Sequence, residues 1–254
     1  MTHRRAAQVR FWPLVALAVG IHLFILLLPV LLTGHLRSTL GDGRVVIFLV
    51  LLSTWLIAES MAAQAREPRP RPALGSHRLQ LLSAIAVLVS LWVCLLDVRT
   101  SQAHLSVSLV ALGSMLMAVG MLLRVLAIRT LGPFFLDEVA VLPGQPLVTG
   151  GVYGYLRHPS EGGTLSIAIG AAVLMSSVLG IAVVVLVLGP LVIWRIWLED
   201  RLLERRFNAA FLRYAREAPA LLPRIGGKCP SRLSREWHRP GSRPTASRRE
   251  GWPP

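Results

Sequence analysis

The residues of this chain that are suited to chemistry lie in its second half. A glycine-punctuated segment reads Leu-Val-Thr-Gly-Gly-Val-Tyr at 147–153, and Arg157-His158-Pro159 follows it. Arg195 and Glu199 come later, at a spacing that places both on one face of a helix. These charges stand beside apolar segments, and a charged side chain at bilayer depth is costly unless it faces a cavity lined by protein. The pattern therefore predicts a polar functional site at the edge of a membrane.

The elements that must position this site are membrane helices. The chain has 254 residues, of which 54% are hydrophobic and 16% are charged, whereas soluble domains contain about 25% charged residues. Four apolar runs, at 11–32, 45–63, 79–96 and 105–127, approach or exceed the roughly 20 residues that a spanning helix needs. A fifth apolar block at 165–198 is long enough for two short spans that fold as a hairpin near Gly180. We therefore predict an all-α, polytopic membrane helix bundle of about six spans.

The positive charge of the chain predicts its orientation. The formal net charge is +14, and its arginines precede the first apolar run, follow the second and follow the last. Arginine and lysine cluster on the cytoplasmic side of membrane proteins, so we expect both termini to be cytoplasmic, which requires an even number of spans. This distribution indicates contact with membrane lipids and argues against a nucleic-acid partner. The two cysteines show no metal-site or disulfide spacing, and we predict no metal.

Taken one at a time, these motifs also have plain structural interpretations. Arg195 and Glu199 can form an ion pair that fixes the last span at the membrane boundary. An Arg-His-Pro turn can be merely structural, because Pro159 restricts His158 to extended geometry. Tyr153 can belong to the belt of aromatic residues at the membrane interface.

The order of the motifs favours a functional interpretation. Leu-Val-Thr-x-Gly-x-Tyr is followed by Arg-His-Pro, an apolar hairpin, Arg-x-x-x-Glu and an amphipathic helix that ends in Leu-Leu-Pro. This combination resembles the isoprenylcysteine carboxyl methyltransferase family, over about 131–223. The resemblance implies an integral membrane methyltransferase that uses S-adenosyl-L-methionine, with its active site on the cytoplasmic side and a lipophilic methyl acceptor. The acceptor would be the C-terminal carboxylate of a prenylated cysteine or a small lipophilic molecule.

The resemblance also implies roles for individual residues. Arg195 would face the methyl acceptor, and together with Arg157 it forms the expected catalytic set. Glu199 would contact the cofactor. The cofactor wall would otherwise consist of a cytoplasmic loop and the turn after it, namely Gln145, Pro146, Leu147, Val148, Tyr153, His158, Pro159, Ser160 and Glu161.

Glu161 departs from the family pattern, which usually has an aromatic residue there. A carboxylate at this position can act as a base toward a neutral nucleophile such as an amine or a thiol, or it can form an ion pair. We expect Glu161 to be ionised, to pair with Arg157 across the His158-Pro159 turn, and not to act as a general base, because two unpaired buried charges would each be costly. Asp200 also differs from the second glutamate that is common in the family.

The organisation along the chain follows from these segments. We predict four spans in 1–130, a methyltransferase-like catalytic region in 131–223 that holds the helical hairpin, and a basic disordered tail in 224–254. The catalytic region is expected to end in a basic amphipathic helix at 201–216, suited to an anionic membrane surface. Glu59, near the end of the second span, is expected to be interfacial.

Two further functions stay open at this point. Some membrane sterol-type reductases have a comparable Arg-His-Pro loop but use a nicotinamide cofactor. A non-catalytic membrane scaffold that uses its basic tail for docking is the third possibility.

Overall fold

The computed structural model describes residues 2–63, 75–98, 106–142 and 144–222, and within them it is all-helical. The helices are α1 (Thr2–Leu32), α2 (Leu36–Leu40), α3 (Gly43–Ala63), α4 (Gly75–Asp97), α5 (Val107–Leu131), α6 (Pro159–Leu174), α7 (Val178–Val183), α8 (Gly189–Phe207) and α9 (Ala209–Glu217). A π-helical turn at Val184–Leu188 joins α7 to α8, and 3₁₀ turns lie at Gly132–Phe134 and Gly151–Gly154. The predicted all-α fold is confirmed. The tail at 224–254 lies outside the described residues.

Five helices in the described part of the chain are long and apolar enough to cross a membrane, at Trp12–Leu32, Gly43–Ala62, Arg78–Asp97, Val107–Phe134 and Val178–Phe207. Large apolar side chains such as Leu17, Val50 and Leu186 are exposed on their outer faces, as lipid-facing positions would be. The chain is an integral membrane protein. α6 has 16 residues, which at about 1.5 Å per residue is shorter than a bilayer core of about 30 Å. The count of six spans therefore stays a prediction.

The predicted hairpin is present, with its turn earlier than expected. α6 ends at Leu174 and α7 begins at Val178, and Ser176 between them has a φ of 54°. Gly180 lies inside α7, where a Cβ atom would come within 2.3 Å of the Cys94 sulfur. The glycine that suggested a turn instead permits close packing of α7 against α4.

The basic segment predicted as one amphipathic helix at 201–216 is divided. Its first part continues the last long helix to Phe207, and α9 begins at Ala209. Asn208 between them has φ 46° and ψ −124°, which is not a helical conformation, so the helix ends there. On α9, Phe211 and Tyr214 are buried while Leu212 is exposed. The aromatic face of α9 therefore packs inward against the protein.

Two pairs of glycines bring α5 and α6 into backbone contact. A Cβ atom on Gly113 would lie 2.6 Å from the Gly170 carbonyl oxygen, and one on Gly120 would lie 2.5 Å from that of Gly163. The glycines are seven residues apart on each helix, so each pair recurs after two turns on one face. Small residues at such positions let membrane helices approach closely. This contact fixes α6, which carries part of the polar site, against the membrane bundle.

We predict that Gly120→Val strongly destabilises the fold. The new side chain would collide with backbone and with Ile167, and overpacking a tight contact costs about 1–3 kcal/mol or more. The measurement is the thermal unfolding midpoint in detergent. Gly20→Val is the matched control, because a Cβ atom there meets no neighbour within 4 Å. Equal midpoints for the two variants would contradict the predicted contact.

Candidate active site

The glycine-punctuated loop is held against the end of α5. Gly151 has a φ of 59°, and a Cβ atom there would come within 3.1 Å of the Thr130 methyl group, so both conformation and space favour glycine. The following 3₁₀ turn buries Tyr153 against Ala127, Ile128 and Phe135. The loop therefore has a defined position.

The segment after α9, at 218–222, binds the backbone of the Arg-His-Pro turn, and we call this segment the strap. The Arg157 amide donates to the Pro219 carbonyl at 2.9 Å, and the His158 amide donates to the Ala220 carbonyl at 3.1 Å. The Tyr214 hydroxyl donates to the Tyr153 carbonyl at 2.8 Å. The sequence pattern gave no signal for this strap, because backbone hydrogen bonds between distant segments leave no trace in residue types.

His158 lies between two carboxylates of α8. Its Nδ1 is 3.4 Å from Glu199 Oε2, and its Nε2 is 2.9 Å from Asp200 Oδ1. Arg157 Nη2 is 3.3 Å from the second oxygen of Asp200. Burial lowers the pKa of His158, but Glu199 and Asp200 outweigh it and raise this pKa to about 9. His158 is therefore a cation at neutral pH, which links the turn before α6 to α8.

Glu161 pairs with a different arginine from the one expected. Arg195 Nε lies 2.9 Å from Glu161 Oε1, and an Arg195 Nη2 hydrogen also bonds the Asp137 carbonyl. The predicted Glu161–Arg157 pair is wrong: Arg157 precedes α6 and pairs with Asp200 of α8, whereas Glu161, in the first turn of α6, pairs with Arg195, which lies more than one turn earlier on α8. Arg195 and Glu199, the other pair considered, have Glu161 and His158 as their close partners.

Arg124 of α5 is a site residue that sequence reasoning missed. It forms an ion pair with Glu59 of α3 and lies 3.7 Å from an oxygen of Asp137. It also donates to Ser160 Oγ at 3.2 Å and to Thr164 Oγ1 at 2.8 Å, both on α6. Glu59 is thus part of the site, whereas we expected it at the membrane interface. The available signal was an arginine and a glutamate inside two apolar spans.

With the exception of Asp200, these charged groups line one cavity of about 630 Å³, within the range of small-molecule sites, which is about 300–1,000 Å³. Most of the predicted site residues line it: Gln145, Tyr153, Arg157, His158, Ser160, Glu161, Arg195 and Glu199. Pro146, Leu147, Val148 and Pro159 are not among the lining residues. Leu147 packs beside Phe211, and Val148 packs beside Tyr153. Among the described residues, no group of three His, Cys, Asp or Glu side chains could hold a metal ion.

The cavity also has an apolar part. Side chains from α1, α3, α4, α8 and the π-helical turn before α8 line it, including Leu26, Leu52, Trp55, Val87 and Leu188. Leu188 belongs to the π-helical turn before α8, a distortion often found at functional sites. A molecule in this cavity can therefore contact ionised groups at one part and hydrocarbon at another.

A comparison with protein families finds a match to the part of the chain that holds most of the charged cavity residues. Residues 111–205 match the model of the isoprenylcysteine carboxyl methyltransferase (ICMT) family. The resemblance is confirmed over that region. It contains Arg157, His158, Glu161, Arg195 and Glu199 of the cavity wall. The apolar wall from α1, α3 and α4 lies before the matched region, and the strap after α9 lies beyond it.

Two individual proteins are similar to the chain. The protein-S-isoprenylcysteine O-methyltransferase B of Arabidopsis thaliana is 29% identical over 113 residues, which are 44% of this chain and 57% of that protein. The match thus spans little more than half of the relative's length. A solved structure of the eukaryotic intramembrane Ras methyltransferase ICMT aligns over 71% of this chain and 69% of its own, at 20% identity and a TM-score of 0.47.

We predict that His158 contributes stability that depends on pH. Its folded pKa of about 9 lies above the ordinary value of 6.5, so the contribution is full below about pH 6.5 and is lost as the pH rises through about 9. The full contribution is on the order of 3 kcal/mol. Thermal unfolding of the protein and of His158→Gln is measured between pH 6 and pH 10. The gap between the two midpoints should narrow with rising pH, and a gap that widens or stays constant would refute this contribution.

Proposed function

We propose that the protein is a membrane methyltransferase that uses S-adenosyl-L-methionine and methylates a lipophilic acceptor reached from the membrane. The observation that carries the proposal is the single cavity that joins the charged groups of the family-matched region to an apolar wall of membrane helices. Its relatives are named as isoprenylcysteine methyltransferases, which supports methyl transfer as the reaction class.

The residues around the polar part of the cavity suit the proposed cofactor. S-adenosyl-L-methionine has a sulfonium cation, an amino-acid group and an adenine, which need carboxylates, hydrogen-bond donors and apolar surface. Glu199 supplies a carboxylate that faces the cavity, and Tyr153 and Gln145 are nearby wall residues. Arg157 also lines the cavity, and its guanidinium would supply hydrogen-bond donors for the amino-acid carboxylate. When bound, the cofactor supplies an electrophilic methyl group.

The protein's own contribution to the reaction is then positioning. His158 and Asp200 hold the backbone turn and α8 together, so the groups that contact the cofactor keep their places. The segment 145–148 would contact the cofactor through its backbone, and Ser160 and Pro159 would continue the wall. Methyl transfer depends chiefly on alignment of acceptor and methyl group, which a rigid site provides. The active site is proposed to face the cytoplasm.

The proposed function is tested by cofactor binding and by labelled methyl transfer. We expect S-adenosyl-L-methionine, and not NADPH, to raise the unfolding midpoint of the detergent-solubilised full chain; a ligand at a hundred times its Kd adds about 2.7 kcal/mol. Stabilisation by NADPH would favour a sterol-type reductase, and stabilisation by neither would favour a scaffold. Labelled cofactor incubated with membrane lipids and prenylated peptides would then identify methylated acceptors by mass spectrometry.

We predict that Glu199→Ala weakens S-adenosyl-L-methionine binding about tenfold or more, which corresponds to about 1.4 kcal/mol. The reason is loss of the carboxylate that faces the cavity; the variant also removes one partner of His158, so some loss of stability is expected. Calorimetric titration of folded protein measures the affinity. Glu204→Ala, an exposed glutamate on the same helix, is the matched control. Unchanged affinity in folded Glu199→Ala would mean that Glu199 is purely structural.

A further inference from the structure

The charges that line the cavity bear on the kind of acceptor it takes. Three lining side chains are arginines, and five are carboxylates: Glu59, Asp137, Glu138, Glu161 and Glu199. Even with His158 as a cation, the lining groups carry more negative than positive charge. A cationic cofactor offsets that excess, and an additional anion would restore it.

Each lining arginine already has a carboxylate partner on another segment. Arg124 pairs with Glu59, Arg157 with Asp200, and Arg195 with Glu161. Arg195 also bonds the Asp137 carbonyl, so its guanidinium is held on two sides. Both Arg195 and Glu161 are 8% exposed, which makes their ion pair costly to separate.

The partner of Arg195 matters because this arginine would otherwise recognise an acidic acceptor. A carboxylate that bound Arg195 would have to displace Glu161 and leave that glutamate buried without its cation. Burying an unpaired charge is strongly unfavourable. With the aromatic residue that is usual at this position in the resembled family, no such competitor would exist.

We propose, on the basis of the proposed methyltransferase function, that the reacting group of the acceptor is an uncharged nucleophile that carries a proton. This group is an amine or a hydroxyl group on an apolar chain. Glu161 sets this preference because it occupies Arg195. The apolar wall formed by Leu26, Leu52 and Val87 takes the chain of such a molecule. Glu161 is thus a residue that determines specificity.

The proposed step is balanced without a further reagent. A lone pair on the acceptor nitrogen or oxygen forms a bond to the methyl carbon of the sulfonium cofactor. The bond between that carbon and sulfur breaks, and its electron pair stays on sulfur, which becomes a neutral thioether. The proton that the nucleophile carried leaves to water.

The test compares three acceptors that have one alkyl chain and differ in the head: an amine, a phenol and a carboxylate. The purified full chain is incubated with each acceptor and with methyl-labelled S-adenosyl-L-methionine. We expect kcat/KM for the amine or the phenol to exceed that for the carboxylate by about tenfold or more. A carboxylate that reacts equally well or better would overturn the proposal.

Glu161→Gln tests the role of the residue itself. It keeps the shape of the side chain and removes its charge, so Arg195 becomes available and the preference should shift toward the carboxylate by about tenfold. Glu204→Gln, on the exposed face of α8, should leave the ratio unchanged. If Glu161→Gln does not fold, Glu161→Tyr restores the residue usual in the resembled family and should shift the ratio in the same direction. An unchanged ratio in a folded variant would refute the role of Glu161.

Direct binding of the three acceptors to the protein distinguishes failure of this inference from failure of the proposed function. Absence of cofactor binding and of methyl transfer would count against the methyltransferase function alone. The order of lipid affinities, measured without cofactor, still decides the inference. Tighter binding of the phenol, which is uncharged at neutral pH, than of the carboxylate supports it, and tighter binding of the carboxylate overturns it.

Discussion

The pairing of buried arginines with carboxylates from other segments is the interaction on which the polar half of this structure depends. An ionised side chain inside an apolar helix bundle is tolerated only with a partner, so each pair requires two segments to meet at a fixed distance. Arg124 joins α5 to α3 and α6, and Arg195 joins α8 to α6. The ion pairs that neutralise these charges therefore also hold the segments of the cavity wall together.

Such pairs require that the helices carrying them keep a fixed separation, and the contact between α5 and α6 fixes it. Because Gly120 and Gly163 let the two backbones touch, Arg124, one turn after Gly120 on α5, lies beside the start of α6. It therefore reaches Ser160 and Thr164. A larger side chain at either glycine would move these helices apart by more than a hydrogen bond can stretch. The packing of small residues in the membrane and the polar geometry at its edge are consequently parts of one arrangement.

The sequence allowed prediction of what depends on residue type and local spacing. Apolar run length predicted the membrane helices, and motif order predicted that His158, Glu161, Arg195 and Glu199 would meet in one place. It did not predict ion-pair partners, because these depend on the direction each helix gives its side chains. Arg157 and Glu161 are close in sequence, yet the start of α6 between them turns one toward Asp200 and the other toward Arg195. The place of Glu59 in the site could not be predicted from local spacing either, because its partner Arg124 is 65 residues away in the sequence.

The two halves of the cavity differ in their relation to the matched family region, and this difference has a physical basis. The charged half is built within residues 111–205 with the exception of Glu59, and its chemistry constrains each residue through a partner. Much of the apolar half comes from α1, α3 and α4, where any side chain of suitable size contributes the same transfer free energy per area. An apolar wall can therefore change its sequence while it keeps its function, whereas a charged wall changes only together with its partners. Glu161 is informative for that reason: a carboxylate at this position requires a cation, and the cation it engages is Arg195, the arginine that we propose faces the acceptor.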